Sequence, residues 1–302
     1  MNERGKSYEG FVPAGNRPAG TSSPTGDASG ERRVALVIGN ANYKHGKPLR
    51  NPHQDAEAIA DLLGRLGFEL TASPSQRDRY WHADLDLISM KRIIADFGIA
   101  AEKADMAVVY FAGHGLEVDG NNYLLPVDAE LEHVRRVRAE TASLSELLDE
   151  VDGVKQLPLV ILDACRDNPF TGRMRGLDDM RSFRSGLAEI EPSGDVLVAY
   201  AARQGLKAQD GPEGGNSPYA EALVEHLATP NIDLRILLGR VRDTVRDKTG
   251  HRQHPHFSGS LGGNEIYLAQ KSEAAPPGQC NRQLPTKRVH KARTCGSGMG
   301  TP

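Results

Sequence analysis

The strongest constraint on what this chain can fold into is an alternation. Between residues 31 and 269, short apolar runs rich in strand-forming residues take turns with segments whose apolar residues recur at helical spacing. That pattern belongs to an α/β fold, a mainly parallel sheet with helices packed on both faces. VALVI at 34–38 reads as the first buried strand, ended by Gly39. Ala56, Ile59, Ala60 and Leu63 fall at i, i+3, i+4 and i+7, which predicts a helix over 52–66 with one apolar stripe. A strand near 68–72, a helix over 85–102 and the strand MAVVYF at 106–111 follow in turn. Leu144, Leu147, Leu148 and Val151 predict another helix, and LPLVIL at 157–162 a fourth strand despite the Pro near its start. The strand DVLVAY at 195–200, helices over 218–228 and 233–248, and a last strand EIYL at 265–268 complete the series. Residues 166–193 break the rhythm: they are polar, carry Arg173, Arg175, Arg181 and Arg184, and are too long for an ordinary connection, so a mobile functional loop is expected.

Both ends lie outside the alternation. Residues 1–30 hold Gly, Pro, Ser and Thr with few large apolar side chains, and 270–302 shows no hydrophobic period, so neither offsets the entropy of ordering. A disordered arm and a disordered basic tail are expected. The tail has six Lys or Arg against one acid and the arm balances three against three, so the −3 of the whole chain leaves the body eight charges negative. An acidic body favours a cationic ligand and offers nothing to nucleic acid. No run approaches ~20 continuous apolar residues, and the polar start has no signal-peptide core, so a cytoplasmic chain without a membrane partner is expected. Cys165, Cys280 and Cys295 are too few for a disulfide framework, and the two in the tail read as incidental thiols.

In a sheet of this kind ligands bind beyond the carboxyl ends of the strands. Two predicted strands end there on reactive side chains: YFAGHG at 110–115 sets His114 between two glycines, and ILDAC at 161–165 ends on Cys165. A thiolate is a strong nucleophile, and a nearby imidazole can raise its thiolate fraction and then protonate a leaving amine. Glycine beside the imidazole lets a substrate backbone approach, with the Gly115 N–H available to a developing oxyanion. Taken alone, a Cys after an apolar strand is more often a buried small residue, and a lone His at a strand end is ambiguous. Their position on the same side of the sheet, with His114 preceding Cys165 by 51 residues, gives the pair its weight.

With these segments the chain resembles the caspase-like cysteine peptidases, in their bacterial metacaspase-like (orthocaspase) branch. The carrying residues are VALVIGNANY at 34–43, NPHQDAEAIADLL at 51–63, VVYFAGHG at 108–115, LVILDACRDNPF at 159–170, VAYAARQG at 198–205 and NSPYAEALVEHL at 216–227. RDNP at 166–169 follows the cysteine where eukaryotic metacaspases have His-Ser-Gly, and resembles the bacterial set. The resemblance implies the caspase-hemoglobinase fold, a three-layer α/β/α sandwich around a mainly parallel six-stranded sheet. It divides the body into a large-subunit-like part 31–165, a linker 166–193 and a small-subunit-like part 194–269. It further implies a dyad of His114 as general acid and base with Cys165 as nucleophile, an oxyanion hole of the Gly115 and Cys165 N–H groups, and a thioester acyl-enzyme.

Metacaspases cleave after Arg or Lys through an acidic pocket, and the matching acids are Asp55 and Asp163. Asp163 stands two residues before the nucleophile and so shares its side of the strand; as ordinary residues, Asp163 would be a strand-end or capping acid and Asp55 a first-turn helix acid. The expected partners are protein or peptide substrates with basic residues at the cleavage site, and the expected state is a monomer. Self-processing after Arg173, Arg175, Arg181 or Arg184 is a further expectation, set against a merely solvated basic loop.

Many metacaspases need calcium, but Asp119, Asp128, Asp178 and Asp179 are too scattered for a cage, so no cofactor and no metal is expected. His251, His254 and His256 suit no helix face; with Gln253 and Pro255 they match a Gln-x-Pro segment common before the last strand of caspase-like domains, expected to be structural or substrate-lining. No phosphate-binding glycine signature occurs, and Tyr80-Trp81 offers no stacking platform for nucleic acid. The alternative function is a catalytically silent caspase-fold module for binding or signalling.

Overall fold

A computed structural model describes residues 30–71, 79–165, 170, 172, 174–176, 183–185, 187–192, 194–203 and 208–269. Strand β1 (Arg33–Gly39) leads through α1 (Pro52–Arg65) to the short strands β2 (Glu69–Leu70) and β3 (His82–Ala83). Helix α2 (Leu87–Ala101) precedes the long strand β4 (Met106–Val118), which turns back into β5 (Asn121–Leu124). A 3₁₀ turn at Val134–Arg136, α3 (Val137–Glu140), β6 (Ala142–Ser143) and α4 (Leu144–Asp149) lead to β7 (Leu157–Cys165). The chain then forms β8 (Phe183–Ser185), β9 (Leu197–Tyr200), α5 (Pro218–His226), α6 (Leu234–Lys248) and β10 (His256–Gly259). The main sheet runs in the order β10-β9-β7-β4-β1-β2, parallel except for β10 at its edge.

The central strands read as continuous apolar runs because they are covered on both sides. Every residue of β4 is buried. On one face Val108, Tyr110 and Ile161 pack with residues of α1, α5 and α6; on the other Val109, Phe111 and Leu162 pack with residues of α2 and α4. Full burial of a large apolar side chain contributes roughly 1.5–3 kcal/mol, so these two layers outweigh any local propensity. The expected three-layer sandwich is the architecture found, and six strands form the main path of a sheet to which β3, β5, β6 and β8 also pair. Beyond the carboxyl ends of the strands a third, smaller cluster gathers Tyr43, Leu116, Leu131, Val134, Phe170 and Met174.

Two expectations are corrected. The strand expected to end at residue 111 runs on to Val118, because its partners change where its apolar pattern stops. Up to His114 it pairs in parallel with β7, and from Gly115 it pairs antiparallel with β5.

The last strand is His256–Gly259, and 265–268 is not a strand. Ile266 and Leu268 are buried for another reason. The Ile266 N–H donates to Asp233 Oδ2 at 3.0 Å, the Leu234 N–H donates to the Ile266 carbonyl at 2.8 Å, and Arg33 Nη1 donates to the Leu268 carbonyl at 2.8 Å. The apolar alternation there serves the start of α6 rather than a ladder.

The described residues of the linker 166–193 make contacts at three places. Phe170 and Met174 are buried in the third cluster, Arg175 exchanges backbone hydrogen bonds with Glu132 and Val134, and β8 pairs with β4. The expected arm 1–30 lies outside the described residues except for Gly30, and the basic tail with Cys280 and Cys295 lies wholly outside them.

Asp233 is the joint of the C-terminal part. Its carboxylate accepts the Arg235 N–H that caps α6, two guanidinium hydrogen bonds from Arg235 and the Ile266 N–H. The Arg235 side chain chiefly holds its pKa down at about 2, below the ordinary 3.8. A depressed folded-state pKa stabilises above the unfolded value and loses that stabilisation as the pH falls through the folded one. Replacing Asp233 with Ala is expected to cost about 1–2 kcal/mol at neutral pH in urea melts, the range for a lost helix cap. The gap should narrow as the pH falls from about 4 to 2.

Candidate active site

The register between β4 and β7 brings the two reactive positions together. Nine consecutive parallel pairs run from Met106 opposite Leu157 to His114 opposite Cys165. Neighbouring strands lie about 4.8 Å apart, so the two backbones are adjacent. His114 alternates with Tyr110 and Ala112, and Cys165 with Ile161 and Asp163, so both positions belong to the face covered by α1 and α5. Of Cys165 the structure describes the backbone alone.

His114 is buried and oriented from two sides. Its Nε2 lies 2.9 Å from the Lys47 carbonyl oxygen, which only accepts, so Nε2 carries the proton and Nδ1 holds the lone pair of the neutral ring. Its backbone N–H donates to the Tyr43 hydroxyl at 2.7 Å, and the Tyr43 ring packs against the imidazole at 4.5 Å between centroids. Glycine at 113 permits this contact, since a Cβ there would stand 2.7 Å from the Tyr43 oxygen. At Gly115 a Cβ would come 2.8 Å from Leu187 Cδ2, so this glycine also answers a packing need. Sequence reasoning missed Tyr43, although it stands within the quoted segment 34–43, because an aromatic residue in a loop shows no period.

Beside this pair a small recess of about 10 Å³ is lined by Asp55, Asp163, Asp210, Ser217, Gly113 and Asn51 among others. The structure thus brings the two predicted acids together and adds a third. Ser217 joins the first two: its N–H donates to Asp55 Oδ1 at 2.8 Å, and its hydroxyl donates to Asp163 Oδ2 at 2.6 Å. The same serine caps α5 by accepting the Ala220 N–H at 2.9 Å, and Tyr110 donates a second hydrogen bond to Asp163 Oδ2 at 3.1 Å. Burial, then repulsion from Asp163, pushes Asp55 up to about 9. Burial also raises Asp163, to about 6, with Asp210 adding to the rise and hydrogen bonds from Ser217 and Tyr110 opposing it. None of the described lining residues is basic. A cation placed there would favour the ionised forms of Asp55 and Asp163.

Asp210 and Ser217 were not singled out from sequence: both stand in a polar loop ahead of α5, where no pattern marks a residue as site-facing.

The remaining candidates are scattered. Arg175 is exposed and paired with Glu132 at 3.7 Å, while its backbone is engaged on both sides. Arg184 has its backbone paired with β4 opposite Glu117. Arg173 and Arg181 lie outside the described residues, as do Asp178 and Asp179. Asp128 accepts the Leu87 N–H at 2.9 Å and Asp119 stands in the turn between β4 and β5, so they do not fit a calcium cage. No group of three or more His, Cys, Asp or Glu suited to a metal occurs among the described residues. His254 Nε2 lies 2.9 Å from the His251 carbonyl and His256 pairs with Glu189, so the three histidines do not converge. No described helix is long and apolar enough to cross a membrane.

Residues 32–264 match the family described as "Caspase domain". Mucosa-associated lymphoid tissue lymphoma translocation protein 1 of Homo sapiens is 27% identical over 176 residues, 58% of this chain and 19% of that protein. Its Mus musculus homolog is 26% identical over 184 residues, 61% of this chain and 20% of that protein. The chain spans about a fifth of the length of these curated relatives. The crystal structure of caspase-1 from Spodoptera frugiperda superposes with a TM-score of 0.57 at 18% identity, covering 87% of this chain and all of that one. That likeness shows the fold, which is the caspase-hemoglobinase arrangement.

The acids of the recess have a consequence for stability. Asp55 keeps a proton to about 9 in the folded chain and loses it near 3.8 when unfolded. A raised acid pKa therefore costs stability increasingly as the pH climbs between those values. Asp55→Asn keeps an acceptor for the Ser217 N–H and has no such slope. Thermal melts should show the variant gaining on wild type from about pH 4 to 9, and parallel curves would contradict the buried, protonated acid.

Proposed function

The chain belongs to the caspase-domain family of cysteine peptidases, and from that premise we propose that it is a metacaspase-like cysteine endopeptidase cleaving after Arg or Lys. The observation that carries the proposal is the recess of three carboxyls opening at the strand ends where His114 stands opposite Cys165. A guanidinium or ammonium group in the recess would meet Asp55, Asp163 and Asp210 in a setting of low dielectric, where charge-assisted hydrogen bonds are strong.

The chemistry then follows from the residues. His114 Nδ1 takes the Cys165 thiol proton, and the thiolate attacks the carbonyl carbon after the bound basic residue. The N–H groups of Gly115 and Cys165 hold the oxyanion of the tetrahedral intermediate. His114 returns its proton to the leaving amine as the C–N bond breaks, which leaves a thioester on Cys165. Water, deprotonated by His114, attacks the thioester; the C–S bond breaks, and the acid and the free thiol are released. Lys47 and Tyr43 support these steps by fixing the ring and its tautomer.

Peptide libraries with every residue at the cleaved position test the reading. Wild type should cleave after Arg and Lys, and Cys165→Ala should lose activity by at least about a thousandfold, the scale seen when a nucleophile is removed. No hydrolysis by wild type, with or without calcium, favours the silent binding module; cleavage after Asp spares the dyad and overturns the pocket. Self-processing is part of the proposal. Mass spectrometry of purified wild type should find cuts after one or more of Arg173, Arg175, Arg181 and Arg184 that are absent from Cys165→Ala. Cuts after Arg175 or Arg184 require their backbone pairings to open first.

Cation binding should also depend on pH. In the empty recess Asp163 and Asp55 hold protons up to about 6 and about 9, and a bound guanidinium displaces them. The ratio of kcat/KM for an arginyl substrate over its uncharged citrulline counterpart should therefore rise with pH across that range. Taking the ratio cancels the titration of the dyad, and a flat ratio would contradict the proton-holding recess.

A further inference from the structure

The Gln-x-Pro segment is not absorbed by the catalytic reading, yet it reaches the recess. Gln253 is fully buried. Its Oε1 accepts the Gln209 N–H at 3.0 Å, and its Nε2 donates to the Ala201 carbonyl at 3.0 Å. One side chain thus bridges the end of β9 to the residue just before Asp210. The bridge is anchored in turn: the Gln253 N–H donates to Thr249 Oγ1 at 3.1 Å, and that hydroxyl donates to the Val245 carbonyl of α6 at 2.8 Å.

From the opposite side the buried Asn51, at the start of α1, donates through Nδ2 to the carbonyls of Asp210 and Pro212. Between them Gly211 turns the chain at φ +77°, where a Cβ would collide with the Asn216 carbonyl.

These hydrogen bonds oppose a definite force. Asp210 is exposed at the mouth of the recess, and it faces two other carboxyls. Asp210 disfavours the ionised form of both buried acids, and an exposed loop can relieve that repulsion by swinging its acid into water. Holding the wall in place takes groups that both donate and accept, without adding charge. A buried amide does this, whereas an apolar side chain would leave the Gln209 N–H and Ala201 carbonyl without these partners.

We propose that Gln253 and Asn51 are positioning residues for substrate selection, which hold the backbone of 209–212 from two sides so that Asp210 closes the recess around a guanidinium. The proposal rests on the peptidase reading above. It assigns to a segment far from the dyad in sequence a share in preferring arginine to an uncharged side chain of the same shape. Because the amides act through Asp210, their removal should matter only while an acid stands at that position.

The test is a double-mutant cycle on the full chain with matched arginyl and citrulline peptides. Gln253→Met should lower the arginine-to-citrulline ratio of kcat/KM about tenfold, the scale of one lost charge-assisted contact. The loss should appear in KM for the arginyl peptide, with the citrulline peptide changed less than about twofold. In an Asp210→Asn background the same substitution should lower the ratio no further.

An unchanged ratio, an equal loss on both peptides, or a loss that adds fully to that of Asp210→Asn overturns the clamp. Should Gln253→Met not melt cooperatively, hydrogen exchange on wild type decides. The amides of 208–211 should slow on binding a peptidyl-arginine aldehyde and not on binding its citrulline counterpart; equal exchange in both overturns the proposal. Failure of wild type to cleave arginyl peptides would instead overturn the peptidase reading.

Discussion

Everything functional in this chain hangs on the parallel pairing of β4 with β7. The pairing is driven by apolar burial: Val108, Tyr110, Leu159 and Ile161 face one layer of helices, and Val109, Phe111, Val160 and Leu162 face the other. Side-chain period in a strand is two, so a slip of one residue would turn every apolar group to the wrong layer. The same constraint that places leucines and valines therefore places His114 opposite Cys165 at the far end of the ladder. The juxtaposition of these two backbone positions is a by-product of core packing.

A second principle operates next to the ladder, where polar groups are buried at a cost to stability. Asp55, Asp163 and Tyr110 stand among apolar side chains, and both acids hold protons well above the usual carboxylate range. A chain selected for stability alone would fill these positions with apolar residues. The fold limits the cost by making one serine serve three purposes: Ser217 starts α5, satisfies Asp55 through its N–H and satisfies Asp163 through its hydroxyl. The amides of Asn51 and Gln253 treat the outer wall in the same way. Asp55 keeps its proton up to about 9, which limits the cost of burying a second acid beside Asp163.

Sequence reasoning recovered what periodicity encodes. Helices α1, α2, α5 and α6 and strands β1, β4, β7 and β9 each bury an apolar set with a clear period, and the expected spans meet the observed ones within a few residues, except where β4 continues past 111. His114 and Cys165 stood out because reactive side chains ended apolar runs. What escaped was structure held by partners distant in sequence. The extension of β4 through AGHG depends on β5 and β8, which carry mixed polarity. The alternating Ile266 and Leu268 mimic a strand while pinning the start of α6. Phe170 and Met174 anchor a segment whose composition suggests a free loop. Asp210, Tyr43 and Ser217 are polar or aromatic loop residues, and only the folded chain brings them to the site.

The central claim is that an acid-lined recess delivers a basic residue to a thiol at the end of β7. It is tested most directly by covalent trapping: the protein is treated with a peptidyl-arginine acyloxymethyl ketone and with its citrulline counterpart, and the adducts are located by peptide mapping. The account predicts one adduct, on Cys165, formed much faster by the arginine reagent, suppressed in His114→Ala, and slowed to the citrulline rate in Asp163→Asn. An unmodified Cys165, or equal labelling by the two reagents, would contradict it.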